Sequence, residues 1–289
     1  MTDNPKTIDA RQVAHAVYDA VRTCATTLRP DFARALEKAR DDAAAADAQS
    51  RCARVLGQMI DNARIGAEDG VPICQDTGTV WVCLEAGEDV AVPGSVFSLV
   101  DDAVARAYRD GRLRMSVVRD AVLDRTNTGD NTPAFCEVKL VPGSGAVLHV
   151  LLKGGGSDNA SRVVMLPPGA GRAGIVDVVT GCVREKAANA CPPLLVGVGI
   201  GATFDKVAGL AKHALLREVG SPAKSEGAAA LEAELLEAVN ATGIGPAALG
   251  GAPTALAVHV ETAPCHIAAL PVAVNMGCSA MRSASIRLA

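Results

Sequence analysis

Aromatic side chains are nearly missing from this chain, with one Trp, two Tyr and four Phe among 289 residues. Stacked rings therefore cannot build the interior. Ala, Val, Leu and Ile must do so, with Gly allowing close backbone contacts. An excess of positive charge is also missing. Lys and Arg number 28 against 32 Asp and Glu, a net charge of −4, which argues against a nucleic-acid surface or an anionic membrane as partner. Long apolar runs are lacking too. The longest uncharged stretches, residues 187–204 and 238–260, are interrupted by Gly and Pro, which argues against a transmembrane span. The first residues, Met-Thr-Asp-Asn-Pro-Lys, contain no apolar signal-peptide segment. Nine cysteines, an odd number spread along the chain, do not read as a disulfide framework. They read as reduced thiols in a cytoplasmic protein.

Hydrophobic residues make up 49% of the chain, enough to bury a sizeable core. Before residue 70 the pattern is helical. Val13, Val17, Val21 and Cys24 recur at helical spacing after Asp9, and Leu56, Met59, Ile60 and Ala63 do so after Ser50. Residues 32–46 give a third helix. From Gly70 onward, apolar β-type runs at 80–84, 146–152, 194–198, 255–260 and 270–274 alternate with glycine turns. Helices are predicted over 96–109, 204–217 and 228–241. The expectation is an α+β fold over 1–289, with a helical layer (1–69) packed on a mixed sheet (70–289) that carries the functional loops at one edge.

Three cysteines sit in Gly/Pro-punctuated turns: Cys74 in Pro-Ile-Cys-Gln-Asp-Thr-Gly, Cys191 in Ala-Cys-Pro-Pro, and Cys278 in Asn-Met-Gly-Cys-Ser-Ala. They are far apart in sequence, so no short zinc-type box explains them. Three thiolates on rigid turns can hold three corners of a cubane cluster and leave the fourth iron open as a Lewis acid. Taken alone, Cys74-Gln75-Asp76-Thr77-Gly78 reads equally as a buried Cys before an ordinary turn. The run Gly197-Val198-Gly199-Ile200-Gly201-Ala202 matches a dinucleotide fingerprint, but no strand ending in an acidic residue follows about twenty positions later. These glycines read instead as a tight strand-to-helix turn. Lys153-Gly154-Gly155-Gly156-Ser157-Asp158-Asn159 offers either an anion-binding nest of backbone N–H groups or a flexible turn. Arg114 has the fork geometry for a carboxylate. His266, twelve residues before Cys278, carries little weight by itself.

Taken in order, Cys-Gln-Asp-Thr-Gly, Thr-Gly-Asp-Asn-Thr-Pro, Lys-Gly-Gly-Gly-Ser-Asp-Asn, Cys-Pro-Pro-Leu-Leu-Val-Gly-Val-Gly-Ile-Gly, Gly-Ile-Gly-Pro and His-Ile-Ala-Ala-Leu-Pro-Val-Ala-Val-Asn are highly specific as a set. The chain resembles the iron–sulfur class I fumarate hydratase and tartrate dehydratase family, in its alpha-subunit or N-terminal part, from about Met59 to Arg282. The resemblance implies a [4Fe–4S] cluster on Cys74, Cys191 and Cys278. It also implies substrate contacts from Gln75, Arg114, Gly156 and His266, and a catalytic aspartate, Asp76, beside the cluster. The stretch Ser279-Ala280-Met281-Arg282 departs from the family pattern, which weakens any role for Arg282 but not the ligand role of Cys278.

The implied activity is reversible hydration of fumarate to (S)-malate, with L-tartrate or mesaconate chemistry as the alternative. A cluster-bearing electron-transfer or sensor protein is the alternative of another class, and it would need a fourth Cys ligand. Only eleven residues follow Cys278, and no candidate base other than Asp76 lies near the motifs. The resemblance implies, as partners, a small dicarboxylate and a beta subunit that carries the proton-abstracting residue, in a hetero-oligomer.

Overall fold

The structure is a computed structural model that describes residues 6–288. In chain order its elements begin with β1 (Lys6–Thr7), α1 (Ala10–Thr26), α2 (Pro30–Ala46), α3 (Arg51–Asp69), β2 (Thr79–Ala86), β3 (Val90–Ala91) and α4 (Val100–Asp110). The middle of the chain forms β4 (Phe135–Leu140), β5 (Ala146–Lys153), α5 (Gly155–Asn159), β6 (Arg162–Leu166) and α6 (Gly171–Lys186). The last part forms β7 (Leu194–Ala202), α7 (Phe204–Ala214), α8 (Glu226–Asn240), β8 (Ala255–Cys265), β9 (Leu270–Gly277) and β10 (Ser283–Arg287). The fold is α+β: eight of its strands make two four-stranded mixed sheets, and β1 pairs in parallel with β3 in a two-stranded one.

The chain divides into two compact units. The first comprises the chain up to Arg29, Ala63–Gly155 and the residues from Arg282 on. Its sheet has the order β10-β5-β2-β4, with β2 parallel to β4 and antiparallel to β5. One face is covered by α1 and α4. Asp9 caps α1 by accepting from the Arg11 N–H at 2.8 Å. The i, i+4 stripe Val13, Val17 and Val21 then packs with Val100, Val104 and Tyr108 against Val82, Leu84, Leu148 and Val150. With so few aromatics, this is the aliphatic core that the composition requires.

The second unit comprises Pro30–Asn62 and Gly156–Met281. Its sheet has the order β6-β9-β7-β8, with α6 and α8 supplying Val179, Val183, Leu235 and Val239 to one face. Helix α7 lies on the other face, where Val207 and Ala211 meet Ala273. The glycines of the 197–201 run prove to have a packing role rather than forming only a turn. Gly197 and Gly199 lie inside β7. A Cβ on either would run into the backbone of α7, at the Ala211 carbonyl for Gly197 and the Val207 carbonyl for Gly199. They let the helix sit directly on the strand. Gly199→Ala is expected to cost about 1–3 kcal/mol through overpacking, read as a lower urea midpoint with an unchanged slope.

Beyond the predicted elements, the structure contains β1, β3, β4, β6, β10, α5 and α6. No helix of the described residues is long and apolar enough to cross a membrane.

Candidate active site

The Cys74–Gly78 turn lies in the first unit, between α3 and β2. It is pinned at its start by the Ile73 N–H, which donates to the Ala25 carbonyl at 2.9 Å. Ile73 itself is buried against Gly66, where a Cβ would stand 2.5 Å from its Cγ2. At its end the turn is held from beneath. The buried Tyr108 hydroxyl reaches the Thr77 and Gly78 carbonyls at 3.1 and 2.8 Å. Asn131, fully buried and at φ +63, donates to the Gly78 carbonyl at 3.1 Å and accepts from the Ser116 N–H at 2.7 Å. The Thr77 hydroxyl donates to the Arg114 carbonyl at 2.6 Å. Burial pushes the Tyr108 phenol up to about 12, against the pull of its hydrogen bond to Thr77, so it stays a donor across the physiological range. Tyr108→Phe should cost about 1–3 kcal/mol, because a buried carbonyl loses its donor. Urea unfolding measures this.

Asp76 is the most heavily engaged side chain of the turn. Its Oδ1 accepts from the Gly78 N–H at 3.1 Å and from Arg114 Nη2 at 3.0 Å. Its Oδ2 accepts from the Gly155 N–H at 2.7 Å. Its backbone carbonyl accepts from Arg282 Nη1 at 2.6 Å. The carboxylate is thus fixed by two backbone amides and one guanidinium, with its side chain about a quarter exposed (27%). Arg114 is about half exposed and joins Asp76 directly. Gln75 is exposed.

The glycine run after β5 is not a flexible turn. It starts the short helix α5, and Gly155 rather than Gly156 donates to Asp76. A Cβ on Gly156 would stand 2.5 Å from the Asn189 carbonyl oxygen. As a first-turn residue, Gly156 has an N–H with no acceptor inside the helix.

In the second unit the structure brings Cys191 and Cys278 to the same end of the sheet. Cys191, exposed and at φ +54, enters β7 through Pro192-Pro193, and Cys278 leaves β9, which runs antiparallel to β7. The Ser279 N–H donates to the Cys191 carbonyl at 2.9 Å and ties the two turns together. Cys74, half-buried, belongs to the first unit.

His266 is placed away from the cysteine turns of its own sheet. It lies in the exposed connection between β8 and β9, with its Nδ1 accepting from the Ala268 N–H at 3.1 Å. Cys278 follows the other end of β9. An eight-residue strand separates its ends by roughly 25 Å. His266 and Cys278 therefore stand at opposite ends of β9. The extended segment between them is what holds them apart.

A metal thiolate must be deprotonated, and burial opposes this at several of the other six cysteines. Burial pushes the Cys24 and Cys83 thiols up to about 12 and also raises Cys182. Cys136 lies exposed on the open edge strand, with Asp101 nearby. Cys52 and Cys265 have their S–H groups directed at the Gly250 and Ala269 carbonyls, at 3.4 and 3.2 Å. None of the nine is in a disulfide. Cys191 and Cys278, brought to one end of the second sheet, are donors of the kind that an iron–sulfur cluster takes.

Sequence reasoning missed Tyr108 and Asn131 as supports of the turn and gave Arg282 no role. Asn131 lies in the quoted Thr-Gly-Asp-Asn-Thr-Pro motif, and Tyr108 is one of only two tyrosines. Those were the available signals.

A family profile for fumarate hydratase (Fumerase) matches residues 14–287. A Methanocaldococcus jannaschii protein provisionally named as an L(+)-tartrate dehydratase subunit alpha is 35% identical over 283 residues, covering 96% of this chain and 98% of the relative. The L(+)-tartrate dehydratase subunit alpha of Escherichia coli strain K12 is 31% identical over 290 residues, covering 99% and 94%. With the profile spanning nearly the whole chain, this protein belongs to the fumarate hydratase (Fumerase) family of hydro-lyases.

Proposed function

We propose that this chain is the alpha subunit of a cytoplasmic iron–sulfur hydro-lyase that dehydrates a 2-hydroxy dicarboxylate, with L(+)-tartrate as the first substrate. The observation that carries the reading is the fixed Asp76 carboxylate, held by Arg114, Gly78 and Gly155 two residues after Cys74. The substrate choice rests on the relatives, which are named tartrate dehydratase subunits over almost their full length. Conversion of (S)-malate to fumarate is the second reading, favoured by the family profile and by the Lys-Gly-Gly-Gly-Ser-Asp-Asn form of the glycine motif.

In this reading Cys74, Cys191 and Cys278 hold a [4Fe–4S] cluster. When bound, the cluster supplies an open iron whose Lewis acidity weakens the C–OH bond. The chain's own residues do the rest. Arg114 and the Gly156 N–H bind a substrate carboxylate and offset the negative charge that builds on it as the neighbouring C–H proton leaves. Gln75, exposed on the same turn as Asp76, donates to the other polar end of the substrate. Asp76 orients the base that takes the proton. That base belongs to a beta subunit, a partner supported by the alpha-subunit names of the relatives. The electron-transfer alternative needs a fourth thiolate. Burial of Cys24 and Cys182 and the S–H contacts of Cys52 and Cys265 speak against it.

The test is to co-express this chain with its cognate beta subunit, reconstitute anaerobically and compare kcat/KM for L(+)-tartrate, (S)-malate and fumarate. The reading expects at least a tenfold preference for tartrate and no turnover by either subunit alone. A preference for malate and fumarate selects the second reading. Turnover of none of the three by an iron-loaded complex rejects both.

A further inference from the structure

Arg282 is the largest fully buried side chain among the described residues, only 2% exposed. Buried arginines are ordinarily paired with a carboxylate, since a guanidinium taken out of water needs compensation. Among the described residues Arg282 has no such partner. Its one hydrogen bond from a side-chain nitrogen runs from Nη1 to the Asp76 carbonyl oxygen at 2.6 Å, and its Nε is buried without an acceptor. The position is built around it. A Cβ on Gly154 would stand 3.3 Å from Nη2 and 3.2 Å from Asp76 Oδ2, so only glycine leaves both groups where they are. The Arg282 carbonyl in turn accepts from the Leu152 N–H at 2.9 Å, which anchors the residue to β5 just before the glycine run. Its charge is felt further in, where it pulls down on the Cys24 thiol and the Tyr108 phenol against the effect of burial.

We propose that Arg282 is a positioning residue for the hydro-lyase reaction. From below, it fixes the backbone of Asp76 so that the carboxylate meets the Gly155 N–H and Arg114 in one orientation. Two attachments define that orientation, the carbonyl on Arg282 and the carboxylate on Gly155 and Arg114. A hydrophobic residue at 282 would fill the space more easily and spare the burial of a charge. A lysine would supply the charge but not the planar fork that can hold the carbonyl while remaining close to Gly154. The inference rests on the assignment of Asp76 in the proposed function.

The experiment uses the reconstituted complex of alpha and beta subunits with Arg282→Met, Arg282→Lys and Gly154→Ala. For Arg282→Met, kcat is expected to fall at least 100-fold with KM within threefold and iron content unchanged. Arg282→Lys should recover about a tenth of the wild-type kcat, and Gly154→Ala should resemble Arg282→Met. A readout independent of turnover is hydrogen exchange at the Gly155 amide, which should speed up at least tenfold in the Arg282 variants while amides in the middle of β2 stay protected. If Arg282→Met does not fold, Arg282→Lys decides. Unchanged kcat and unchanged Gly155 exchange in that variant overturn the proposal. So does a kcat that falls only in step with iron content or KM, which would make Arg282 a structural rivet. If the wild-type complex lacks hydro-lyase activity, the functional reading fails by itself, and Gly155 exchange still decides whether Arg282 positions Asp76.

Discussion

Asp76→Asn is expected to leave the subunit folded and iron-loaded while lowering turnover by about 10²–10⁴, the usual range for a positioned acid–base group. The turn does not depend on this carboxylate for its shape. Thr77 and Gly78 are held by Tyr108 and Asn131 through their carbonyls, and Ile73 is fixed to α1. The amide is nearly isosteric, and its oxygen can keep the Gly78 and Arg114 contacts at the Oδ1 position. The atom that replaces Oδ2 becomes a donor facing the Gly155 N–H, and two donors repel where a 2.7 Å hydrogen bond stood. The side chain must turn away, and its negative charge is gone. Steady-state kinetics beside an iron assay measures both consequences. A kcat within threefold of wild type removes Asp76 from the mechanism, and loss of iron converts its role into a structural one.

Cys278→Ser and Cys191→Ser are each expected to lose most of the reconstituted iron and at least 100-fold in activity, whereas Cys182→Ser and Cys52→Ser keep both. The contrast follows from where the thiols are. Cys182 is buried, with its S–H on the Ala160 carbonyl at 3.2 Å, and Cys52 is directed at Gly250. Deprotonating either means giving up a hydrogen bond, and for Cys182 it also means burying an anion. Cys191 and Cys278 lie at one end of the second sheet, joined through the Ser279 N–H, with the exposure a ligand needs. Iron and sulfide per chain after anaerobic reconstitution give the answer. A Cys278→Ser variant with a full cluster, or a Cys182→Ser variant without one, contradicts the ligand assignment.

The long amphipathic helices were legible because their signal is periodic. The Val13–Val17–Val21 stripe and the apolar runs that became β2, β5, β7, β8 and β9 could be read directly from the sequence. The strands that went unread were at sheet margins. β4 exposes all six of its residues, Phe135 and Leu140 among them, and β6 alternates half-buried and exposed side chains, so neither has a continuous apolar run. α6 was hidden by Gly171, Gly174 and Gly181, which weaken a helical pattern. At the site, residues inside motifs were legible and their supports were not. Asp76 could be picked out beside Cys74. The tie between Asp76 and Arg282 spans 206 residues of sequence, and no local spacing encodes it. His266 is a related case. Twelve residues from Cys278 is close in sequence, yet most of that interval is one extended strand.

The central claim is that a three-thiolate cluster in this subunit leaves one iron open to a hydroxy dicarboxylate. The most direct test is an EPR spectrum of the anaerobically reconstituted and reduced complex of alpha and beta subunits, recorded with and without L(+)-tartrate or (S)-malate. The account predicts a cluster signal that depends on Cys74, Cys191 and Cys278 and shifts when the dicarboxylate is added. A cluster signal that none of these dicarboxylates perturbs, or one that survives replacement of all three cysteines, would contradict it.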